Sequence, residues 1–291
     1  MTDALAALVA ASLSAKLAEP VRTIAAALGR EAGASAVLFY GSNLRTGSLD
    51  GVLDFYVLTP GPPERGIWPS VGYREFDHGP RCLRAKIATM RLATFARAAA
   101  DETLDTTIWT RFVQPAALAW SADAAATRAV IDAVAAAAVT AGRYAAALGP
   151  ERGTSDDYWR ALFRATYAAE LRVEAKGREE GIIDVHRAHL TALLPRAWGA
   201  GTVAHDAGGT RIDADARRTL LARWRVRQRL GKPINLVRLI RAAFTFDGAA
   251  RYGAWKIERH TGIKVHVTPW RERHPVLAAP GVLWRVWRAR R

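Results

Sequence analysis

The hydrophobic pattern of the chain changes near residue 121. Before it, short apolar runs rich in β-branched and aromatic residues are separated by turns that carry glycine and proline, which is typical of strands. After it, apolar residues recur at helical spacing over long stretches. The pattern therefore predicts an α+β chain with its strands in the first part and mainly helices in the second.

Residues 37–58 place two apolar runs on either side of a polar segment that carries glycine. This pattern predicts a strand, a turn, a loop and a second strand. A helix over 3–30, broken at Pro20, precedes them and is expected to pack on the sheet. The other elements of the first part are predicted as a turn-rich loop over 59–80, a strand over 81–92, a short helix over 93–107 and a strand over 108–115.

The second part predicts a series of helices and a basic end. Helices are predicted over 124–148, from 158 to about 176, and over 180–197, 213–230, 234–244 and 249–260. A small loop covers 199–209, and Asp247 is a candidate cap for the last helix. Residues 283–291 interleave tryptophan with arginine. That composition suits an anionic membrane interface, nucleic acid, or a basic tail folded back on the body.

Two features of residues 37–58 indicate a functional site. Gly41-Ser42 follows the first strand, and a Gly-Ser turn lets backbone N–H groups approach a phosphate closely. Asp54 lies inside the second apolar run, where a carboxylate is costly unless it is paired or binds a metal. Together they predict a metal–nucleotide site, although each alone also fits an ordinary turn and an edge-strand aspartate.

The formal net charge is +15, from 42 Lys and Arg against 27 Asp and Glu. This excess favours nucleoside triphosphates, nucleic acid or an anionic membrane, or it reflects only an Ala/Arg-rich proteome. The single cysteine, Cys82, excludes an internal disulfide and a cysteine-based zinc site. We expect no signal peptide and no transmembrane helix, and hence a cytoplasmic protein peripherally associated with the inner face of the cell membrane.

Gly41-Ser42, eleven further residues and then an aspartate resemble the signature of the nucleotidyltransferase superfamily. The usual pattern has a second acidic residue two positions later, where this chain has Tyr56. A single strand aspartate is also a feature of the mitochondrial-type CDP-diacylglycerol synthases, the translocator assembly and maintenance family. Later stretches are similar to segments of that family in the same order: 111–115, 166–172, and 240–245 with Tyr252 and Lys256.

This resemblance implies a nucleotidyltransferase-type mixed sheet with flanking helices over 1–120. A mainly helical domain with a basic, Trp-rich, membrane-facing tail is then expected over 121–291. The implied reaction is Mg²⁺-dependent transfer of a cytidylyl group from CTP to phosphatidic acid, releasing pyrophosphate. CTP, phosphatidic acid and an anionic membrane surface are the expected partners, with no stable nucleic-acid partner.

The nucleotide is expected at the Gly-Ser turn and the basic residues near it. Gly41, Ser42 and Asn43 would cradle the phosphates. Lys86 and Arg111 would neutralise the charge that develops during transfer, although Lys86 alone also fits a solvated strand face.

The remaining site residues are acidic groups and candidates for the lipid phosphate. Asp54 is expected to hold Mg²⁺. Glu170 lies at the family's aspartate position and is the candidate for a second catalytic and metal-binding carboxylate, with Asp50 as another. Glu170 alone also fits an exposed glutamate paired with an arginine. Arg172 and Lys256 are expected at the lipid phosphate.

Two other functions stay open on the sequence. One is a nucleotidyltransferase that modifies another acceptor, such as a small molecule, a protein or RNA. The other is a non-catalytic module that binds nucleotide or nucleic acid, which the missing second strand carboxylate at Tyr56 favours slightly.

Overall fold

The computed structural model describes residues 2–169, 178–200, 203–206 and 209–289. The predicted fold class is confirmed: an open, five-stranded mixed sheet is flanked by helices, and helices make up most of the later part of the chain. The domain boundary at residue 120 stays a prediction. The larger hydrophobic core contains residues from both sides of it.

Five strands form the main sheet: β1 Ala36–Tyr40, β2 Val52–Thr59, β3 Ser70–His78, β4 Arg81–Arg91 and β5 Ala116–Ser121. Their order across the sheet is β3-β4-β2-β1-β5. β2 and β4 are parallel, and the other neighbouring pairs are antiparallel. Tyr40, the last residue of β1, pairs with Asp54 near the start of β2 and with Ala116 at the start of β5, and Asp54 pairs in turn with Lys86 of β4.

The helices surround this sheet and continue beyond it. Those that precede or interrupt the strands are α1 Asp3–Leu13, α2 Glu19–Glu31, α3 Ser42–Thr46, α4 Leu92–Ala99 and α5 Thr107–Phe112. Those that follow are α6 Ala124–Leu148, α7 Ser155–Ala169, α8 Arg178–Gly199, α9 Ala214–Thr245, α10 Ala249–Thr261, α11 Pro269–Arg273 and α12 Pro275–Ala289. A small hairpin, β6 Val203–Asp206 and β7 Gly209–Ile212, lies between α8 and α9.

Both faces of the central strands are buried. Alternate residues of a strand point to opposite faces. On one face, Phe39 and Phe55 join a core that includes residues of α2. On the other face, Leu38 and Tyr56 join a larger core that includes most of α6. Asp54 is two residues before Tyr56 and so belongs to this second face.

The central helix of the larger core is α6. By length and composition alone it is apolar enough to cross a membrane, with a mean hydropathy of 1.4. A core helix passes the same test, and α6 contacts α1, α4, α5, α7, α8 and α9 in this structure.

The turn-rich loop predicted over 59–80 is wrong in its second half, because Ser70–His78 form β3. This strand lies at the edge of the sheet and pairs only with β4. An edge strand buries few side chains, so its hydrophobic alternation is weak. In β3 only Tyr73 is fully buried.

The strand predicted over 108–115 is also wrong. Thr107–Phe112 form α5, and β5 begins at Ala116, after Pro115. The Asp105 carboxylate accepts a hydrogen bond from the Thr107 N–H at 3.0 Å and stabilises the start of α5. The buried side chains of this stretch recur four residues apart, as in a helix: Ile108, Trp109, Phe112 and Val113.

Two predictions that depended on proline are corrected. The break predicted at Pro20 within 3–30 exists but lies earlier: α1 ends at Leu13 and α2 begins at Glu19, so Pro20 lies in the first turn of α2, where its missing N–H costs little. The helices predicted over 213–230 and 234–244 are one, because α9 continues through Pro233. Buried ion pairs on both sides of Pro233 hold α9 in place: Arg227 with Asp101 at 2.6 Å and Arg238 with Asp105 at 2.8 Å.

The link between α9 and α10 attaches α10 to the sheet. Asp247 does not cap α10 through its side chain; Gly248 is the N-cap. The Tyr73 N–H donates to the Asp247 carbonyl at 2.8 Å. Gly248 has a φ of 76°, and a Cβ there would lie 2.4 Å from the Tyr73 carbonyl oxygen, so only glycine fits this approach. The small loop predicted over 199–209 contains β6 and the start of β7 instead.

Candidate active site

A row of polar side chains crosses the sheet at the end where β1 stops and β2 begins. In register, Tyr73 of β3 is opposite Lys86 of β4, Lys86 is opposite Asp54 of β2, and Asp54 is opposite Tyr40 of β1. Residues directly opposite on neighbouring strands share a face of the sheet. The strand pairing therefore places Lys86 and Asp54 side by side on the face that carries the larger core.

The Gly41-Ser42 turn lies against Asp54. Gly41 has a φ of 88°, which favours glycine, and a Cβ there would lie 3.1 Å from the Asp54 Oδ2 atom. Both Gly41 and Ser42 are exposed. A ligand at this turn can therefore contact the backbone of the turn and the carboxylate together.

Asn43 has a structural role in the loop after the turn. Its side chain is buried, and its Nδ2 atom donates to the carbonyls of Ser48 and Asp50, each at 2.8 Å. Asn43 therefore fixes the loop that leads into β2, and its assignment to the nucleotide stays a prediction. Asp50, the alternative acidic candidate, is exposed.

The electrostatic environment of Asp54 is dominated by burial and two cations. Burial raises the pKa of the Asp54 carboxyl, and the charges of Lys86 and Arg111 oppose this rise. Burial lowers the pKa of the Lys86 amine, Asp54 opposes that, and Arg111 and Lys256 lower it further. Lys86 and Arg111 thus act on the Asp54 carboxylate and Lys256 acts on Lys86, an arrangement of cationic side chains that suits an anionic ligand.

Arg111 reaches the cluster from α5 and is held by two tyrosines. Its Nη1 atom donates to the Tyr56 hydroxyl at 3.1 Å. Its guanidinium lies 5.3 Å from the ring centroid of Tyr40 and 5.8 Å from that of Tyr56. Tyr56 is packed between Phe95 and Phe112 and is fully buried. Tyr56, which stands where the nucleotidyltransferase pattern has its second acidic residue, therefore contacts Arg111.

A cavity of about 400 Å³ opens beside the Gly41-Ser42 turn, between the sheet and α5, α7 and α8. Its polar and charged lining residues are Ser42, Arg45, Thr107, Thr110, Arg111, Gln114, Thr166 and His186. Tyr40, Phe163 and Tyr167 contribute aromatic rings, and Pro115, Ile182 and Val185 contribute aliphatic surface. Hydroxyls, an amide and aromatic rings around one space suit the base and ribose of a nucleoside.

His186 and Arg45 are lining residues that sequence reasoning missed. His186 interrupts the helical geometry of α8, with φ −113° and ψ 16°. Burial, with smaller contributions from His189 and Arg45, lowers the pKa of His186 to about 4. Its imidazole is therefore neutral at physiological pH and can both donate and accept a hydrogen bond. A lone histidine in a helical pattern gave no signal for this position.

The first turns of α10 cover the other side of Asp54. The Tyr252 ring lies 5.5 Å from the Tyr73 ring, and the charge of Asp54 contributes to the raised pKa of the Tyr252 hydroxyl after burial. Lys256 is one turn further along α10 and is exposed. The fold thus brings α10, which carries the predicted site residue Lys256, onto the end of the sheet that carries Asp54.

The structure brings four of the predicted site residues into one cluster: Asp54, Lys86, Arg111 and Lys256. Gly41 and Ser42 lie at its border. Glu170 and Arg172 lie outside the described residues, so their assignments stay predictions. Among the described residues, no group of three or more His, Cys, Asp or Glu side chains could hold a metal.

The comparisons with known proteins do not assign the chain to a family. No protein-family model matches it, and no curated protein does. The fold and the geometry of this cluster therefore carry the functional argument.

Proposed function

We propose that this chain is a nucleotidyltransferase that transfers a cytidylyl group from CTP to phosphatidic acid. The observation that carries the proposal is the position of Asp54. Its carboxylate borders the Gly41 turn, lies among cations and adjoins a cavity of about 400 Å³. Among the substrates of nucleotidyltransferases, CTP and phosphatidic acid are proposed because the motifs resemble those of the mitochondrial-type CDP-diacylglycerol synthases.

The donor nucleotide fits the β1 side of Asp54. Its phosphates lie at Gly41 and Ser42, where backbone groups are accessible, and Arg111 neutralises part of their charge. The nucleoside occupies the adjoining cavity. Small-ligand pockets range over roughly 300–1,000 Å³, and this cavity lies within that range.

The carboxylate of Asp54 fits Mg²⁺, which proteins often bind through one or two carboxylates together with the phosphates of the substrate. When bound, Mg²⁺ neutralises charge on the triphosphate and on the departing pyrophosphate. Lys86 and Arg111 oppose the effect of burial on Asp54 and so favour its anionic form. A second carboxylate, predicted as Glu170, lies outside the described residues.

The transfer is a displacement at the α-phosphorus of CTP. An oxygen of the acceptor phosphate bonds to this phosphorus, the bond to the bridging oxygen of the β-phosphate breaks, and its electron pair leaves on pyrophosphate. A phosphomonoester dianion loses no proton in this step, so no general base is needed. Arg111, on the side of the Gly41-Ser42 turn, stabilises the charge that moves onto the leaving group, and Lys86, beside Asp54, stabilises charge on the transferred phosphoryl group.

The C-terminal part of the chain supports attachment to a membrane surface. Large apolar side chains are exposed on α9, α11 and α12: Leu236, Val237, Ile240, Trp270, Val276, Leu277 and Trp284. Arg271, Arg273 and Arg288 lie among them in the sequence. Exposed tryptophan and leucine next to arginine suit the interface of an anionic bilayer, where phosphatidic acid lies.

The test is turnover of labelled CTP with phosphatidic acid in detergent micelles and Mg²⁺. Asp54→Asn keeps the shape of the side chain and removes its charge, and we expect it to lower turnover by at least about 100-fold. Asp77→Asn, at an exposed position near the end of β3, is the matched control and should retain activity.

Each other outcome changes the proposal in a defined way. Full turnover in Asp54→Asn would remove this residue from the mechanism. If the wild type makes no lipid product but is thermally stabilised by a nucleotide, it acts on another acceptor. If it shows neither, the chain is a non-catalytic module.

A further inference from the structure

We infer that the surface between α10 and strands β3 and β4 is the acceptor subsite, and that it takes a phosphomonoester dianion. This inference rests on the proposed transfer reaction and adds to it the location and chemical class of the acceptor. The residues that form the subsite are Lys86, Arg84, Trp255, Lys256 and Arg259.

The strand order separates this surface from the cavity. Across the sheet the row runs from Tyr73 through Lys86 and Asp54 to Tyr40. The cavity lies at the Tyr40 end. α10 lies at the Tyr73 end, held by the Tyr73–Tyr252 ring contact and by the hydrogen bond to Asp247. Asp54 is therefore between two distinct binding surfaces.

This arrangement fits the geometry of the transfer. The attacking and leaving oxygens of a phosphoryl-type displacement lie roughly in line on opposite sides of the phosphorus. With the donor in the cavity and its α-phosphate at Asp54, the acceptor has to approach from the other side. The α10 surface is on that side.

The α10 surface is organised around one tryptophan. The Arg84 guanidinium of β4 lies 5.5 Å from the centroid of Trp255, and the Arg259 guanidinium lies 5.3 Å from it. The Arg259 Nη1 atom also approaches Gly51, directly before β2, to 3.0 Å from where a Cβ would be. Stacking on the indole holds both arginines near the start of β2.

The charges of this surface select a dianion. Lys86, Lys256 and Arg259 form no salt bridge with any carboxylate of the described residues. The Arg84 Nε atom is buried and donates no hydrogen bond within them; its nearest carboxylate oxygen, on Glu75, is 3.6 Å away. Glu75 already accepts from the Tyr73 hydroxyl at 2.8 Å. The Arg84 Nη1 atom donates to the Cys82 carbonyl at 3.2 Å. The other three cations, which have no carboxylate partner among the described residues, suit the oxygens of a terminal phosphate.

The experiment separates acceptor binding from nucleotide binding. Lys256→Gln and Arg259→Gln each remove one cation, and Arg251→Gln is the matched control on the same helix. Arg251 pairs with Glu272 at 2.6 Å and takes no part in the surface. The first probe is dihexanoyl phosphatidate below its micellar concentration, and the second is glycerol 3-phosphate. Binding of each is measured by calorimetry, together with binding of CTP and Mg²⁺.

We expect each of the two variants to weaken binding of dihexanoyl phosphatidate by about ten-fold or more, which is the effect of losing a charge-assisted hydrogen bond. We expect the affinity for CTP to change by less than two-fold in both variants, and we count a change of that size as no effect. The control should match the wild type in both. If glycerol 3-phosphate binds equally well, the subsite recognises the phosphate of any such ester; if only phosphatidate binds, it also recognises the lipid.

The outcomes distinguish this inference from the proposed function. If phosphatidate binding is lost in the variants but no CTP transfer occurs, the subsite is correct and the reaction is wrong. If transfer occurs but the variants bind phosphatidate like the wild type, the subsite is wrong. It is also wrong if the wild type binds neither phosphomonoester, or if Arg251→Gln has the same effect as the other two.

Discussion

Tyr56 shows how a single residue alters the chemistry available at this site. It lies two residues after Asp54 on the same face of β2, where the two-carboxylate pattern has a second acid. Its hydroxyl accepts a hydrogen bond from Arg111 at 3.1 Å. A carboxylate at that position would bring a metal ligand, whereas the tyrosine positions a cation. Tyr56 therefore positions Arg111, which the proposed function places at the nucleotide phosphates.

Tyr56→Phe removes this hydroxyl and keeps the ring. We expect nucleotide affinity to fall by roughly ten-fold, because a hydrogen bond to a charged group contributes about 1.5 kcal/mol. The measurement is titration calorimetry with CTP and Mg²⁺. Tyr158→Phe is the control: it removes a hydroxyl from another buried tyrosine, which does not line the cavity. Equal losses of affinity in the two variants would show that Tyr56 acts only through stability.

At the scale of elements, α5 connects the site to α9. The Asp105 carboxylate accepts from the backbone N–H and the hydroxyl of Thr107 at the start of α5, and it pairs with Arg238 of α9 at 2.8 Å. α5 also carries Thr110 and Arg111, which line the cavity. The Asp105–Arg238 pair therefore fixes the helix that presents Arg111, the arginine proposed to bind the nucleotide phosphates.

Arg238→Met removes the charge and leaves the buried Asp105 carboxylate without its cation. We expect the free energy of unfolding to fall by about 3 kcal/mol, which is the lower end of the cost of breaking a buried ion pair. Chemical denaturation measures it. Arg229→Met, at an exposed position of the same helix, should change it by no more than about 0.5 kcal/mol.

The double variant Asp105→Asn with Arg238→Met tests the mechanism. Because it removes both charges, it should recover part of the stability that the single variant loses. A double variant as unstable as the sum of both single changes would mean that the two residues act independently.

The elements that the sequence predicted well are those with strong, local patterns. α6 has the predicted bounds of 124–148 because its apolar residues recur at helical spacing and Gly149-Pro150 follows it. β3 was missed because an edge strand buries little. The segment of α5 is short and aromatic, so its composition predicts a strand, although its buried residues have helical spacing. Pro233 predicts a break between two helices, but buried ion pairs elsewhere on α9 outweigh this local preference and the helix continues.

The same distinction between local patterns and contacts distant in sequence holds for the site residues. Gly41, Ser42 and Asp54 lie within one short motif, so their proximity could be predicted from local sequence. The proximity of Lys86 to Asp54 depends on the strand order and that of Arg111 on the packing of α5, neither of which a local pattern contains. The contribution of His186 from α8 and of Trp255 and Arg259 from α10 depends on contacts between elements far apart in the chain.

For the whole molecule, the proposed membrane attachment makes an anionic bilayer the common partner of the net charge of +15 and of the apolar side chains at the C-terminal end. Leu277, Trp270 and Trp284 are 69%, 55% and 57% exposed. Under this proposal, long-range attraction between the basic surface and an anionic bilayer should concentrate the chain there and weaken with salt. Burial of apolar side chains in the interface does not depend on salt in this way. The two contributions can therefore be measured separately.

The variant with both Leu277→Ala and Trp284→Ala tests the apolar contribution, with sedimentation on vesicles as the measurement. On vesicles that contain phosphatidic acid, we expect binding to fall by at least about ten-fold, since the two changes remove well over 1.4 kcal/mol of apolar burial. Leu104→Ala, an exposed leucine in the segment before α5, should bind like the wild type.

In the wild type, raising the salt concentration should weaken binding to anionic vesicles, and zwitterionic vesicles should bind poorly throughout. Vesicle binding that is unaffected by both substitutions would place the membrane contact elsewhere, and the exposed tryptophans of α11 and α12 would then need another partner, such as the bases of a single-stranded nucleic acid.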